Sequence, residues 1–475
     1  DTLTQSIVEL RKAFGDSPRD HRIIKTIPKI GFCLIPPVTF LSAEKETLAR
    51  QKSGKRAKFT VVAVFLALAI LWVWWPAETP DTTNPRLSIA VLPFVNMSGD
   101  PEQEYFSDGI TNDIITDLSK FRNLFVIASN TVFTYKGKSV KITELGKELS
   151  VQYVLEGSVQ EAGQRVRINA RLIDATTGNQ IWAQRYDRSK KDLFTLQDEI
   201  IQTIVRTLEF KIETAELARV MHKDTTNYQA YDYLIRGTWY RLQSTRSSIR
   251  KARQMFEKAI ELDSQYASAY TALGWCYHLQ VEFGWTEFIE QTSQRAVSLA
   301  QKALSLDDFQ PSAHELLGSI YIRKGQYDLA IAELQKALDL NPNDALFHSE
   351  MGEVLLYAGQ TDAAIKFMET GLRFNPRPAP GIYMELGLAY YLKERYDDAV
   401  RILQQGLAKK PDFVGHLIVL TAAYAQLGKA ENAKLSAQKV LRRHPFFEVE
   451  SYATIFQNLS NRKHLRDGLR KAGMK

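Results

Sequence analysis

Small residues and prolines return at a fixed interval through the second half of this 475-residue chain. That interval is the strongest constraint on how it folds. Gly318, Gly352 and Gly387 are 34 and 35 residues apart, and Ala330, Ala364 and Ala399 keep the same steps. Pro342, Pro376, Pro411 and Pro445 follow at 34, 35 and 34. A unit of this length holds two helices and a turn, and it buries its apolar face only by stacking on a neighbour. The glycine and alanine let two antiparallel helices touch, and the proline stops the second helix. Weaker copies hold Gly237, Ala252 and Ala259, then Gly274, Ala296 and Ala303, the latter stretched by about ten residues. The expectation is an all-α solenoid of about six repeats over 227–447, closed by a C-terminal cap at 448–475.

The unit AHELLGSIYIRKGQYDLAIAELQKALDLNP resembles the tetratricopeptide repeat. That resemblance implies a superhelix whose concave face takes protein or peptide partners. Tyr231, Tyr233, Trp239, Tyr240, Trp275 and Tyr277 crowd the first two units. They either line that face or fill positions between helices.

Ahead of the repeats the period changes. Residues 87–94 read as a strand, 113–121 as part of a helix, 124–129 as a strand and 143–149 as a short helix. Three alternating runs follow at 153–160, 165–173 and 180–186, separated by Gly163 and by Thr176-Thr177-Gly178-Asn179, which are turn residues. An amphipathic helix over 193–212 closes a β-α-β-α-β-β-β-α unit, placed at 86–215. The phrases SIAVLPFVNMSGDPEQEYFSDGIT and YVLEGSVQEAGQRVRINARLIDATTGNQIWAQRYD resemble the TolB-N-like α+β module. Ser98-Gly99-Asp100 and Asp108-Gly109 could hold a cation, but no base–nucleophile pair or phosphate loop accompanies them, and turn chemistry explains them equally.

Residues 59–75 carry no charge, and Thr60 alone is polar. A helix of about 17–25 apolar residues spans a bilayer. Lys52, Lys55, Arg56 and Lys58 precede the run, and Trp72, Trp74 and Trp75 crowd its far end. The expectation is one transmembrane helix at 59–75 between a tether at 37–58 and a linker at 76–85. By the positive-inside rule the N-terminus is cytoplasmic and the C-terminal region periplasmic, in the inner membrane.

Of the net charge of +7, residues 1–58 supply +6, with twelve Lys/Arg against six Asp/Glu. A basic front end points to a polyanion there. Leu3, Ile7, Leu10 and Phe14 share a helix face, and two β-prone runs flank Pro28-Lys29. The segments IVELRKAF and RIIKTIPKIGF resemble the OmpR-type winged helix, of which residues 1–36 would be the C-terminal part. The chain begins inside this pattern, so the first half is expected upstream. The resemblance implies base contacts from Thr4 and Gln5, a phosphate clamp at Arg11, and wing contacts from Lys25, Thr26 and Lys29. Glu9 and Pro28 depart from the family pattern.

Cys33 and Cys276 form no CxxC, and no His/Cys cluster occurs, so neither metal nor cofactor is expected. No catalytic constellation is present, and no enzyme activity is expected. The expected class is multidomain: partial winged helix (α/β), one transmembrane helix, α+β TolB-N-like domain and tetratricopeptide solenoid. This order resembles ToxR/CadC-type membrane-integrated transcriptional regulators. The resemblance implies DNA and protein partners, a single membrane pass and a homodimer. The alternative is an envelope scaffold with a vestigial DNA-binding segment.

Overall fold

The computed structural model describes residues 24–27, 31–34, 87–208, 217–218, 220–452, 456, 458 and 459–474. The chain divides into two units, 1–83 and 84–475. In the first, β1 (Ile24–Ile27) and β2 (Gly31–Leu34) pair antiparallel, Ile27 opposite Gly31.

That hairpin is all of the expected winged helix that the structure describes, and no winged-helix fold is shown. A wing becomes a winged helix only when helices pack behind it, and among the described residues of this unit there is no helix. The expected membrane span is likewise corrected. Among the described residues no helix is long and apolar enough to cross a membrane. The longest has 18 residues. At 1.5 Å per residue it would reach about 27 Å, and its sequence carries Glu290, Arg295 and Lys302. Residues 59–75, where the span was expected, lie outside the described residues, as do 1–23. The transmembrane fold class and the inner-membrane placement with a periplasmic C-terminal region are therefore withdrawn.

The second unit opens with an α+β module. Its strands are β3 (Leu87–Val91), β4 (Val95–Asn96), β5 (Leu124–Val126), β6 (Tyr153–Ala162), β7 (Arg165–Asp174) and β8 (Gln180–Ser189). The sheet order is β5-β3-β6-β7-β8, with β4 also on β6. β3 runs parallel to both β5 and β6, so it sits in the middle and reads as a buried apolar run, SIAV. The β6–β7–β8 meander is antiparallel, and its β7 alternates buried and exposed residues. Gly163 and Gly178 turn the two hairpins at positive φ, 56° and 80°. Its helices are α1 (Glu104–Ser119), α2 (Ser129–Val132), α3 (Ile142–Leu149) and α4 (Leu193–Thr207).

Six helix pairs follow: α5 (Tyr228–Leu242) with α6 (Arg246–Leu262), α7 (Ala267–Glu282) with α8 (Ile289–Leu306), and α9 (Pro311–Arg323) with α10 (Tyr327–Leu340). The rest are α11 (Ala345–Tyr357) with α12 (Thr361–Phe374), α13 (Pro380–Leu392) with α14 (Tyr396–Lys409), and α15 (Val414–Gln426) with α16 (Ala430–Arg443). α17 (Val449–Tyr452) and α18 (Leu459–Lys471) close the end, where α18 packs on α15 and α13. The glycine-to-partner contact recurs. Gly318 faces Leu334, Gly352 faces Met368, and Gly387 faces Leu403. First helices also touch the next first helix, from α7 through α15, forming one layer of the superhelix. Tyr231 and Ile235 of α5 are buried in the module's own core, so module and first repeat share one interior.

Candidate functional site

The module is held at two places on the solenoid, and a cavity of about 630 Å³ lies between them. At the first place α1 packs along α5. Gly109 makes this possible: a Cβ there would stand 3.1 Å from Ile235. Around that contact the hydroxyl of Tyr105 donates to Asp232 at 2.7 Å, and Arg236 donates to both at 2.7 and 2.8 Å. The Tyr231 hydroxyl and the Gln197 amide donate to the Asp113 carboxylate. Burial pushes Asp113 up to about 6, against the hydrogen bond from Tyr231 and the charge of Lys223. Lys223 reaches Asp117 at 2.7 Å. Burial alone would raise Asp117, but Lys120 and Lys223 beside it hold its carboxyl below the usual range.

The second place is the turn between α12 and α13. The Ala128 amide donates to the Phe374 carbonyl at 2.9 Å, and Thr131 donates to Asn375 at 2.7 Å. Phe125 and Phe374 stack with centroids 4.8 Å apart. Arg377 lies 4.8 Å over the Tyr135 ring and donates to Thr134, Tyr135 and Glu148. Asn343, between α10 and α11, donates to the Phe121 carbonyl. The module thus bridges the first repeat and the turns on either side of the fourth.

Each of the first five first helices gives the cavity a side chain: Thr238, Trp275, Glu315, Ser349 and Ile382. The face they form is the inner one, closed on its other side by Asn112, Asp113, Thr116 and Asp117 of α1. Small polar groups and several aromatic rings around such a space, Tyr231, Tyr266, Trp275 and Phe347 among them, suit a short peptide or polar ligand.

The aromatic cluster of the first two repeats divides. Tyr231 is buried in the module contact, and Trp275 lines the cavity. Tyr240 and Tyr277 pack against the core between helices, with Arg253 stacked 4.5 Å over Tyr277, while Trp239 is exposed. Asp100 caps a short 3-10 turn by accepting from the Glu102 amide, and Asp108 pairs with Lys136. These are turn and surface contacts. Cys276 is buried and its thiol is pushed up to about 12, which leaves it inert as a nucleophile. Of the expected DNA contacts, Lys25 and Thr26 fall in β1, and Thr4, Gln5, Arg11 and Lys29 lie outside the described residues. Sequence reasoning missed Asn343, Asn375 and Arg377. They sit in inter-repeat turns, where polar residues are ordinary, and only their partners distinguish them.

Residues 85–203 match the family described as HilA/YgeH-like transcriptional regulator, second domain. Residues 318–359 and 349–412 match tetratricopeptide-repeat families. The module therefore carries the signature of a transcriptional-regulator domain. Among characterised sequences, the chain is 43% identical over 258 residues to "Putative adenylate cyclase 3" of Rhizobium meliloti (strain 1021). The match covers 52% of this chain and 44% of that one, so the chain spans less than half the length of this relative. Among solved structures, YrrB, described as a TPR protein with an unusual peptide-binding site, is 21% identical with a TM-score of 0.32, covering 40% of this chain and 93% of that one. PilF of Pseudomonas aeruginosa is 20% identical with a TM-score of 0.39, covering 46% and 93%.

Proposed function

We propose that this chain is a transcriptional regulator that takes a protein or peptide partner inside its repeats and answers through DNA contacts of the N-terminal unit. The observation that carries this reading is the double attachment of the module. A regulator-type domain is bonded to both the first and the fourth repeat, across the face where a partner would lie. A partner entering that space changes the distance between the two attachments, and the module must follow or let go of one. This is a two-state element whose balance a ligand shifts by its difference in affinity for the two states. The repeats are a binding surface and supply no chemistry of their own.

The DNA side rests on the basic front end. In this reading Thr4 and Gln5 read bases, while Arg11, Lys25, Thr26 and Lys29 hold the backbone and the adjoining groove. Titration of a cognate and a scrambled duplex at two salt concentrations tests it, on the natural full-length protein. Lys25→Ala is expected to weaken both duplexes equally and to lower the salt slope by about one. Thr4→Ala is expected to change base preference with the slope intact. No effect from either substitution would leave a protein-interaction scaffold.

The relative supports a second reading of the output. Its 258-residue match is longer than the N-terminal unit, so most of it falls in 84–475. On that reading the module and repeats form an input unit that serves whatever domain the longer protein attaches to it.

A further inference from the structure

A row of carboxylates runs along the inner layer of the solenoid, without a matching row of cations among the described residues. It begins in the cavity wall at Glu315 of α9 and Asp344 at the start of α11. It continues through Glu350 and Glu353 of α11 to Glu385 of α13. Each is close enough to repel its neighbours: Glu315 acts on Glu350, Glu350 also feels Glu353 and Asp344, and Glu353 acts on Glu385. Glu282 of α7 adds to the charge at Glu353.

Asp344 caps α11 by accepting from the Leu346 and Phe347 amides, and Ser312 bonds Glu315, while further along the row is under-paired. Glu350 accepts from the Ser319 hydroxyl, 3.1 Å from each oxygen. Glu385 is 8% exposed, and its Oε2 is buried with no hydrogen-bond partner among the described residues. Among the described residues the cations acting here are Arg241, on Glu315, Arg323, on Glu282, and Arg462, on Tyr327. The other titratable neighbours, Tyr327, Tyr357 and Tyr452, have their hydroxyls raised by burial and stay neutral. A buried carboxylate without a partner costs several kcal/mol. Burial and repulsion accordingly push Glu353 up to about 7 and Glu315 up to about 8. Among the described residues no three ligating side chains are close enough to hold one metal ion. The row therefore suits several separate cationic groups.

We infer that this row binds an extended, polyproline-II-like segment of a partner protein bearing lysine or arginine at every third residue. The inference rests on reading the repeats as a partner-binding surface and adds the partner's chemistry. The spacing follows from geometry. Packed helices lie roughly 8–10 Å apart, and a polyproline-II chain makes one turn in three residues and about 9 Å, which returns every third side chain to the same face. One cation every three residues thus meets one first helix after another. Trp275 in the cavity wall offers a ring face to a cation at one end.

Anisotropy titrations on the full chain, without DNA, test this with labelled nine-residue peptides. One has lysines at positions 1, 4 and 7, an isomer has them at 1, 2 and 3, and spermine competes as a free polyamine. The spaced peptide is expected to bind at least about tenfold tighter than its isomer. Glu350→Gln and Glu385→Gln are each expected to weaken it about tenfold, and its affinity should drop as pH falls from about 8 to 5.5 while the row takes up protons. Equal binding of the isomers, competition by spermine at equal concentration, or indifference to pH would overturn the inference. The pH series on the unaltered chain decides it even where a substituted chain melts early. Spaced-peptide binding in a chain whose DNA titrations ignore Lys25→Ala would sink the regulator reading alone. A partner that shifts DNA binding with no peptide preference would sink this inference alone.

Discussion

Asp113, Glu315 and Glu353 show what burial does to a single carboxyl. Asp113 is pushed to about 6, Glu353 to about 7 and Glu315 to about 8, burial being the first cause in each. The folded chain holds these protons more tightly than the unfolded chain does. Between about pH 4 and 8 folding therefore binds protons, and stability falls as pH rises. Asp117 and Glu333 act the other way. Lys120 and Lys223 hold Asp117 low, and the His314 hydrogen bond holds Glu333 low, so their contributions vanish in acid. Stability is expected to peak near pH 5 and to drop by several kcal/mol by pH 8. Urea unfolding at pH 5, 6.5 and 8 measures it, and Glu315→Gln should flatten the upper limb. A rise in stability from pH 5 to 8 would contradict the burial of these groups.

Within each repeat, the close approach of two helices depends on a missing side chain. At Gly318 a Cβ would stand 2.8 Å from Leu334 Cγ, and Leu334 is fully buried in α10. Neither side has room to retreat, because α10 is also packed on α11. Gly318→Val is expected to cost about 1–3 kcal/mol by overpacking. Its effect should appear as lost hydrogen-exchange protection in α9 and α10, with α15 and α16 protected as before. Uniform loss across all six pairs would mean that the repeats do not behave as nearest-neighbour units. The same economy appears between module and solenoid, where Gly109 lets α1 lie against Ile235.

For the molecule as a whole, the module turns a one-dimensional stack into a closed arrangement. A free solenoid keeps its nearest-neighbour contacts in kind when one whole repeat is removed. Here deletion of 311–344 would move Phe374, Asn375 and Arg377 one step along the superhelix, while Tyr231 and Arg236 stayed with the first repeat. Both attachments could not then be made together. The deleted chain is expected to keep the helical signal of its remaining repeats but to lose protection of the Ala128 amide, which bonds to Phe374. Circular dichroism with hydrogen exchange tests this, and an unchanged Ala128 amide would show that the module docks on one end only.

The sequence by itself determined the elements whose cause is local. A 34-residue interval of glycine, alanine and proline specifies helix pairs, because those residues set contact distance and helix ends within one unit. Alternation with glycine turns specifies β6, β7 and β8 for the same reason. At the front, two β-prone runs around Pro28-Lys29 became β1 and β2, while the helix expected ahead of them lies outside the described residues. Tertiary structure alone decided that β3 lies between β5 and β6, that the module spans two separated repeats, and that five carboxylates from α9, α11 and α13 converge inside. The partners concerned are far apart in the chain. Thr131 and Asn375 are 244 residues apart, and Arg377 and Glu148 229. No periodicity carries such a pairing, because it depends on where the superhelix brings each turn back toward the module.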